Sequence, residues 1–144
     1  MTPEQKDLLL KDLCARLPYN IKVYDNNGNF NTSYVNLLHI NGKVSEAFVG
    51  NGMQCRTAPI DEIRPYLFPL SSMTEEQYNE MQTISGKDCM EHMEIEKEWR
   101  NNSPFTHLPL YQHRVIEFFH KYHFDYRGLI PMGLAIDATG KNIY

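Results

Sequence analysis

Residues 21–57 constrain the fold more than any other stretch of this chain. "IKVY" alternates apolar and polar residues, and the "DNNGN" that follows is a turn. "YVNLLHI" is a second run, Asn41-Gly42 is the strongest short hairpin signal, and "KVSEAFV" returns from it. "GNGM" turns once more before "QCRT". Four short strands joined by tight turns predict a strongly bent antiparallel sheet. It would be either a small SH3-like barrel or an open meander covered by a helix.

The first residues offer that helix. Thr2 suits the N-cap, Pro3 the first helical position, and Gln5 the third, where its side chain closes a capping box. Leu9, Leu10, Leu13 and Leu17 follow at helical spacing, and Pro18 ends the run. Beyond the sheet, "PIDEIRPYLFPLSSM" carries Pro59, Pro65 and Pro69, which disfavour helical geometry in the residues before them. One short helical turn around residues 61–64 and then an extended segment are expected. Tyr66, Leu67, Phe68 and Leu70 are too apolar for a free linker and should strap two parts of the fold together.

The second half reads as helical. Thr74 and Gln77 form another capping box, starting a helix to about Thr83. Residues 85–99 suggest a further helix with Ser85 as its cap, "RNNSPFTHLP" a loop, and residues 110–122 the last long helix. Val115, Phe118, Phe119 and Tyr122 share one face of that helix. The expected fold class is therefore α+β in one domain of 144 residues. Residues 1–73 supply the N-terminal helix, the small bent sheet and the Pro-rich strap. Residues 74–144 supply a helical part whose tail, 129–136, packs back.

Composition bounds the function. Hydrophobic residues at 42% and charged residues at 22% are those of a globular chain, and aromatics at 12% supply large core side chains. A formal charge of −4 disfavours sequence-independent nucleic-acid binding, which needs a basic footprint on the phosphates. Cys14, Cys55 and Cys89 are far apart and form no CxxC pair, so no structural zinc site or redox motif is indicated. The N-terminus lacks a signal-like apolar stretch, and no membrane span is visible. A cytoplasmic protein without a cofactor is the expectation.

Several groups of residues could nonetheless carry chemistry. His113, Glu117 and His120 lie at i, i+4 and i+7, a metal-compatible inventory on one helix face, with His123 and Asp125 nearby. The pattern does not match HExxH, and Arg114 and Lys121 alongside mark the same face as solvated. In "DYRGLI", Asp125, Tyr126 and Arg127, with His123, could hold a phosphate or carboxylate. Alternatively Asp125 accepts backbone N–H bonds and caps the turn that follows. No catalytic residue is assigned, since no GxSxG, Walker A or GxGxxG pattern occurs.

Two surfaces could recognise partners. Residues 75–98 carry eight acidic side chains against Lys87 and Lys97, with Met90, Met93, Glu94 and Trp99 as a candidate docking surface for a protein partner. Lys22, Lys43 and Arg56 with Tyr24 and Tyr34 on the sheet are the residues a nucleic acid would use.

"LLKDLCARLPY", "IRPYLFPLSSMTEEQ" and "HFDYRGLIPMGLAIDATGKNIY" together resemble a group of small proteins encoded by phages and other mobile elements of gut anaerobes. The likeness covers roughly a third of the chain, and residues 84–109 look like an addition to the usual pattern. It implies provenance rather than chemistry and assigns no catalytic residue. The function expected is that of a non-enzymatic accessory protein binding a host or phage macromolecule. A ligand-binding or metal-binding protein or enzyme using residues 113–127 is the alternative, and nucleic-acid binding through the sheet a third.

Overall fold

The computed structural model describes residues 1–26, 33–41, 44–50, 55–85 and 113–144. Helix α1 (Pro3–Arg16) begins as its capping box dictates. The Thr2 hydroxyl accepts from the Gln5 amide at 3.2 Å, and the Gln5 side chain accepts from the Thr2 amide at 2.9 Å. A 3-10 turn, Leu17–Tyr19, ends it, and Asn20 reverses the chain in the left-handed region at φ 56°.

Strands β1 (Lys22–Asp25), β2 (Ser33–Asn41), β3 (Val44–Gly50) and β4 (Cys55–Pro59) form an antiparallel meander. The β2–β3 register closes on Asn41 opposite Val44, one position beyond a turn centred on Asn41-Gly42, which would leave Ile40 as the last paired residue of β2. It shifts between Val35 and Leu37, a bulge that adds twist. After a 3-10 turn, Ile60–Glu62, strand β5 (Ile63–Leu67) pairs antiparallel with the far side of β1. β6 (Ile136–Asp137) then joins β5 in parallel. The order is β4-β3-β2-β1-β5-β6, an open sheet among the described residues rather than a closed barrel. The Pro-rich strap is thus a strand, preceded by the expected helical turn.

Helix α2 (Glu75–Ser85) starts with the second capping box, each Thr74–Gln77 bond present. Helix α3 (His113–Lys121) carries the C-terminal aromatic face. Ser85, expected to cap a helix over residues 85–99, is instead the last residue of α2; the rest of that helix, the loop after it and the start of the last helix lie outside the described residues.

Two apolar clusters hold these elements. In the first, Leu9 and Leu13 of α1 pack on Val23, Ile63 and Leu67 of the sheet and on Leu129, Leu134 and Ala135 of the tail. In the second, Met81 of α2 meets Val115, Phe118 and Phe119 of α3, with Leu70, Met73, Phe124 and Tyr126. The segment after β5 passes from one cluster to the other, Leu67 lying in the first and Leu70 in the second. Phe68 fixes the crossing: its amide donates to the His123 carbonyl at 2.9 Å, and its carbonyl accepts from the Asp125 amide at 2.8 Å.

Candidate functional site

The C-terminal segment is built from the end of α3 onward. The helix stops in a two-bond motif: the His123 amide donates to the His120 carbonyl and the Phe124 amide to the Phe119 carbonyl. That geometry places His123 in the left-handed region at φ 56°, where glycine is the usual occupant. The aromatic rings of Phe119 and Phe124 meet edge to face beneath it, the apolar contact that accompanies such an ending.

Asp125, Tyr126 and Arg127 then turn inward. The Asp125 carboxylate accepts from the amides of Leu129 and Ile130 at 2.8 and 2.7 Å, holding the turn that feeds the tail into the core. Burial pushes its pKa up, and those two amides pull it partly back. Arg127 sets its Nε 2.9 Å from the Tyr126 hydroxyl and 3.2 Å from Asp12. The Tyr126 hydroxyl also meets Nε2 of His120 at 3.0 Å. Arg127 Nε donates to that oxygen, and which of the hydroxyl and Nε2 donates in the second bond is set by the imidazole tautomer.

The centre of this network is a pair that the sequence reading did not single out. Asp12 and Arg16, one turn apart on α1, are both fully buried and paired at 2.7 Å. Arg16 also donates to the carbonyls of Phe119 and Phe124 at 3.2 and 2.8 Å. It therefore ties α1 to the end of α3. The signal available in the sequence was a charged i, i+4 pair interrupting the leucine stripe.

His120 departs from the expected solvated face. It is 7% exposed, and its ring lies against those of Tyr19 and Tyr126. Burial and the Arg16 charge hold its pKa down to about 4. His113 and Glu117 remain outside, 3.5 Å apart, with side chains 85% and 51% exposed. The three residues share a helix azimuth but not a site. Helical spacing gives direction around the axis; the last turn is roofed by the returning chain, and the first is not. Among the described residues no three His, Cys, Asp or Glu side chains are placed to hold a metal.

His123, from the same candidate set, opens onto a cleft of about 400 Å³. Phe68, Tyr122, Phe124 and Tyr144 supply its aromatic walls, and Thr74, Gln77 and Lys121 line it with polar groups. The Tyr144 ring stacks on His123 at 4.0 Å and 15°. Its hydroxyl bridges two strands, accepting from the Lys22 amide at 3.3 Å and donating to the Tyr66 carbonyl at 2.7 Å. His123 is 6% exposed, and its buried Nδ1 has no hydrogen-bond partner. Burial holds this imidazole neutral, with a pKa of about 4.

A second cleft of about 360 Å³ lies beyond Lys121, lined by Tyr19, Glu80, Arg114, Glu117 and Phe118. Lys121 itself pairs with Glu80 at 3.2 Å and covers the Tyr122 ring.

Elsewhere, Arg56, one of the sheet's three candidate cations, is engaged by the carboxylates of Asp25 and Glu62 and so balanced by two acids. Met90, Met93, Glu94, Trp99 and Lys43, and the side chain of Tyr34, lie outside the described residues. Cys14 is half-buried, and burial raises its thiol pKa, away from a reactive thiolate. Among the described residues no helix is long and apolar enough to cross a membrane. Phe68, Gln77, Lys121 and Tyr144 line the first cleft without having been assigned to a site from the sequence, and they come from four separate segments. No known protein family, no curated protein and no solved structure matches this chain.

Proposed function

We propose that this chain is a non-enzymatic accessory protein of a phage or mobile element that works by holding a macromolecular partner, a protein, on the face formed by α2 and α3. One observation carries the reading: two clefts of about 360 and 400 Å³ meet at Lys121 and make that face concave. Concave surfaces with aromatic walls and a few placed polar groups are where proteins bind other molecules. The polar residues of the "DYR" segment support it from the other side. Asp125 and Arg127 direct their bonds to backbone amides, Asp12 and Tyr126, which makes them part of the frame that fixes α3.

A photo-reactive benzoylphenylalanine at Glu117, on the rim of the second cleft, tests this in the bacterial host. The same group at Lys11, exposed on α1, is the control. One specific protein adduct from position 117, absent from position 11 and abolished by Arg114→Glu with Lys121→Glu, is expected. Equal labelling from both positions, or none from 117 above background, overturns the proposal.

A further inference from the structure

Beyond β6 the chain is tied to the rest of the fold at two points. The first is Ala138, fully buried, whose amide donates to the Leu67 carbonyl at 2.8 Å. The second is Tyr144. Between them Thr139, Gly140, Lys141 and Asn142 are exposed, and their hydrogen bonds stay local. The Thr139 amide donates to the Asp137 carboxylate, the Lys141 amide to the Ala138 carbonyl and the Ile143 amide to the Lys141 carbonyl. Ile143 is half-buried but belongs to neither apolar cluster. Gly140 bends the chain at φ 71°, and nothing lies within 4 Å of the place a side chain would take. A segment with so few buried contacts can open by itself, without unfolding of the sheet beneath it.

Among the described residues, Tyr144 is what fixes the far end of this segment. Its ring stacks on His123 at 4.0 Å and lies 5.9 Å from Phe68, and its hydroxyl is held between the Lys22 amide and the Tyr66 carbonyl. The same residue lines the cleft of about 400 Å³, together with Phe68, Tyr122 and Phe124. One side chain therefore closes the segment onto the sheet and completes an aromatic wall. When it leaves, the wall leaves with it.

We propose that residues 139–144 are a latch on the docking face: the cleft is complete only while Tyr144 is seated, and the latch opens and closes independently of the remaining fold. This inference rests on the reading of the α2–α3 face as a docking surface and names its regulation. A partner seated in the cleft packs against Tyr144 and holds the latch shut. By reciprocity, the latch strengthens docking by the same factor. An open population of about 1%, ordinary for a minor state, keeps the face armed most of the time.

Native-state hydrogen exchange of the 15N-labelled chain at low urea tests the latch without any partner. The Lys22 amide, bonded to the Tyr144 hydroxyl, should show a protection of about 100-fold, the inverse of that open population. It should not respond to low urea, because the opening exposes little surface. Tyr24, two residues on and paired with Arg64 in the same ladder, should be protected about tenfold more or better and lose protection as urea rises. The second arm uses the photo-adduct from position 117, which lines the other cleft and leaves the latch untouched. Tyr144→Ala, in chain shown to be folded, should lower its yield about tenfold, and Tyr144→Phe, which keeps the ring, should lower it less. A Lys22 amide with the urea slope of Tyr24 would mean that the segment leaves only on global unfolding, and the proposal fails. An adduct unchanged by Tyr144→Ala overturns it equally. No adduct from the parent overturns the docking reading and the arming role with it, and Lys22 exchange tells that failure apart because it reports the opening alone.

Discussion

Arg16 Nη2 lies 2.8 Å from the carbonyl oxygen of Phe124, so the first helix is bonded to the turn that ends the last one. The guanidinium is fully buried and forked onto Asp12, while two more of its N–H groups donate to carbonyls at the end of α3. Removing one member of a buried ion pair strands the other charge, at a cost of about 3–5 kcal/mol. Arg16→Met should approach that figure in chemical denaturation, softened because Arg127 also reaches Asp12. The double variant Asp12→Leu, Arg16→Met should recover part of the loss. A single Arg16→Met variant as stable as the parent would show that the pair contributes no net stability.

Asp125 supplies the second tie. Its two oxygens take the Leu129 and Ile130 amides, each with a near-ideal distance, in a turn that includes Gly128 at φ 72°. Asp125→Ala removes both acceptors and should cost about 2–4 kcal/mol, from one buried and one part-buried amide at roughly 1–3 kcal/mol each with partial rehydration. Amide exchange locates the effect: Leu129 and Ile130 should exchange faster than residues of α1. Uniform acceleration across the chain, with no excess at those two amides, would mean the carboxylate acts otherwise.

These two ties differ in how legible they were. Asp125 reaches amides four and five residues on, and the capping boxes at Thr2 and Thr74 close over three. Side chain to backbone bonds of that reach are written in the order of residues. So was the meander, because its turns join neighbouring strands. The packing of His120 on Tyr19, the bonds of Arg16 to Phe119 and Phe124 and the bond of Tyr144 to Lys22 each join residues a hundred or more positions apart. No periodicity encodes them. The strap escaped full reading for another reason: its prolines argue against a strand, yet proline's fixed φ is compatible with extended backbone, and β5 accommodates Pro65 opposite Val23.

Acid should loosen the fold through two imidazoles. His120 and His123 titrate near 4 in the folded chain, pushed down mainly by burial, against about 6.5 when unfolded. Between those values the unfolded chain binds more protons, so stability falls as pH drops through 6.5 and levels near 4. Each group contributes up to about 3 kcal/mol to that fall. Asp125, whose pKa is raised, works in the opposite sense in the carboxylate range, since there the folded state holds the extra proton. Urea unfolding at pH 7 and pH 5 should show the decline, and His123→Phe should roughly halve it. Imidazole resonances titrating near 6.5 in the folded protein would remove its basis.

Tyr144 Oη sits where the β1–β5 ladder would place its next rung: Val23 faces Pro65, so Lys22 and Tyr66 come next, and the hydroxyl bridges their amide and carbonyl. Burial raises the pKa of this phenol, so it stays protonated and able to donate. Tyr144→Phe keeps the ring on His123 and removes only the bridge, which should cost about 1–2 kcal/mol for two modest hydrogen bonds. Tyr144→Ala also loses the stacking on His123 and Phe68 and should be further destabilised by about 1–2 kcal/mol. The Lys22 amide is the local reporter, with faster exchange expected in both variants and similar in each. If the Phe variant matched the parent in stability and in Lys22 exchange while the Ala variant did not, the ring alone would hold this segment, and the hydroxyl bridge would be incidental.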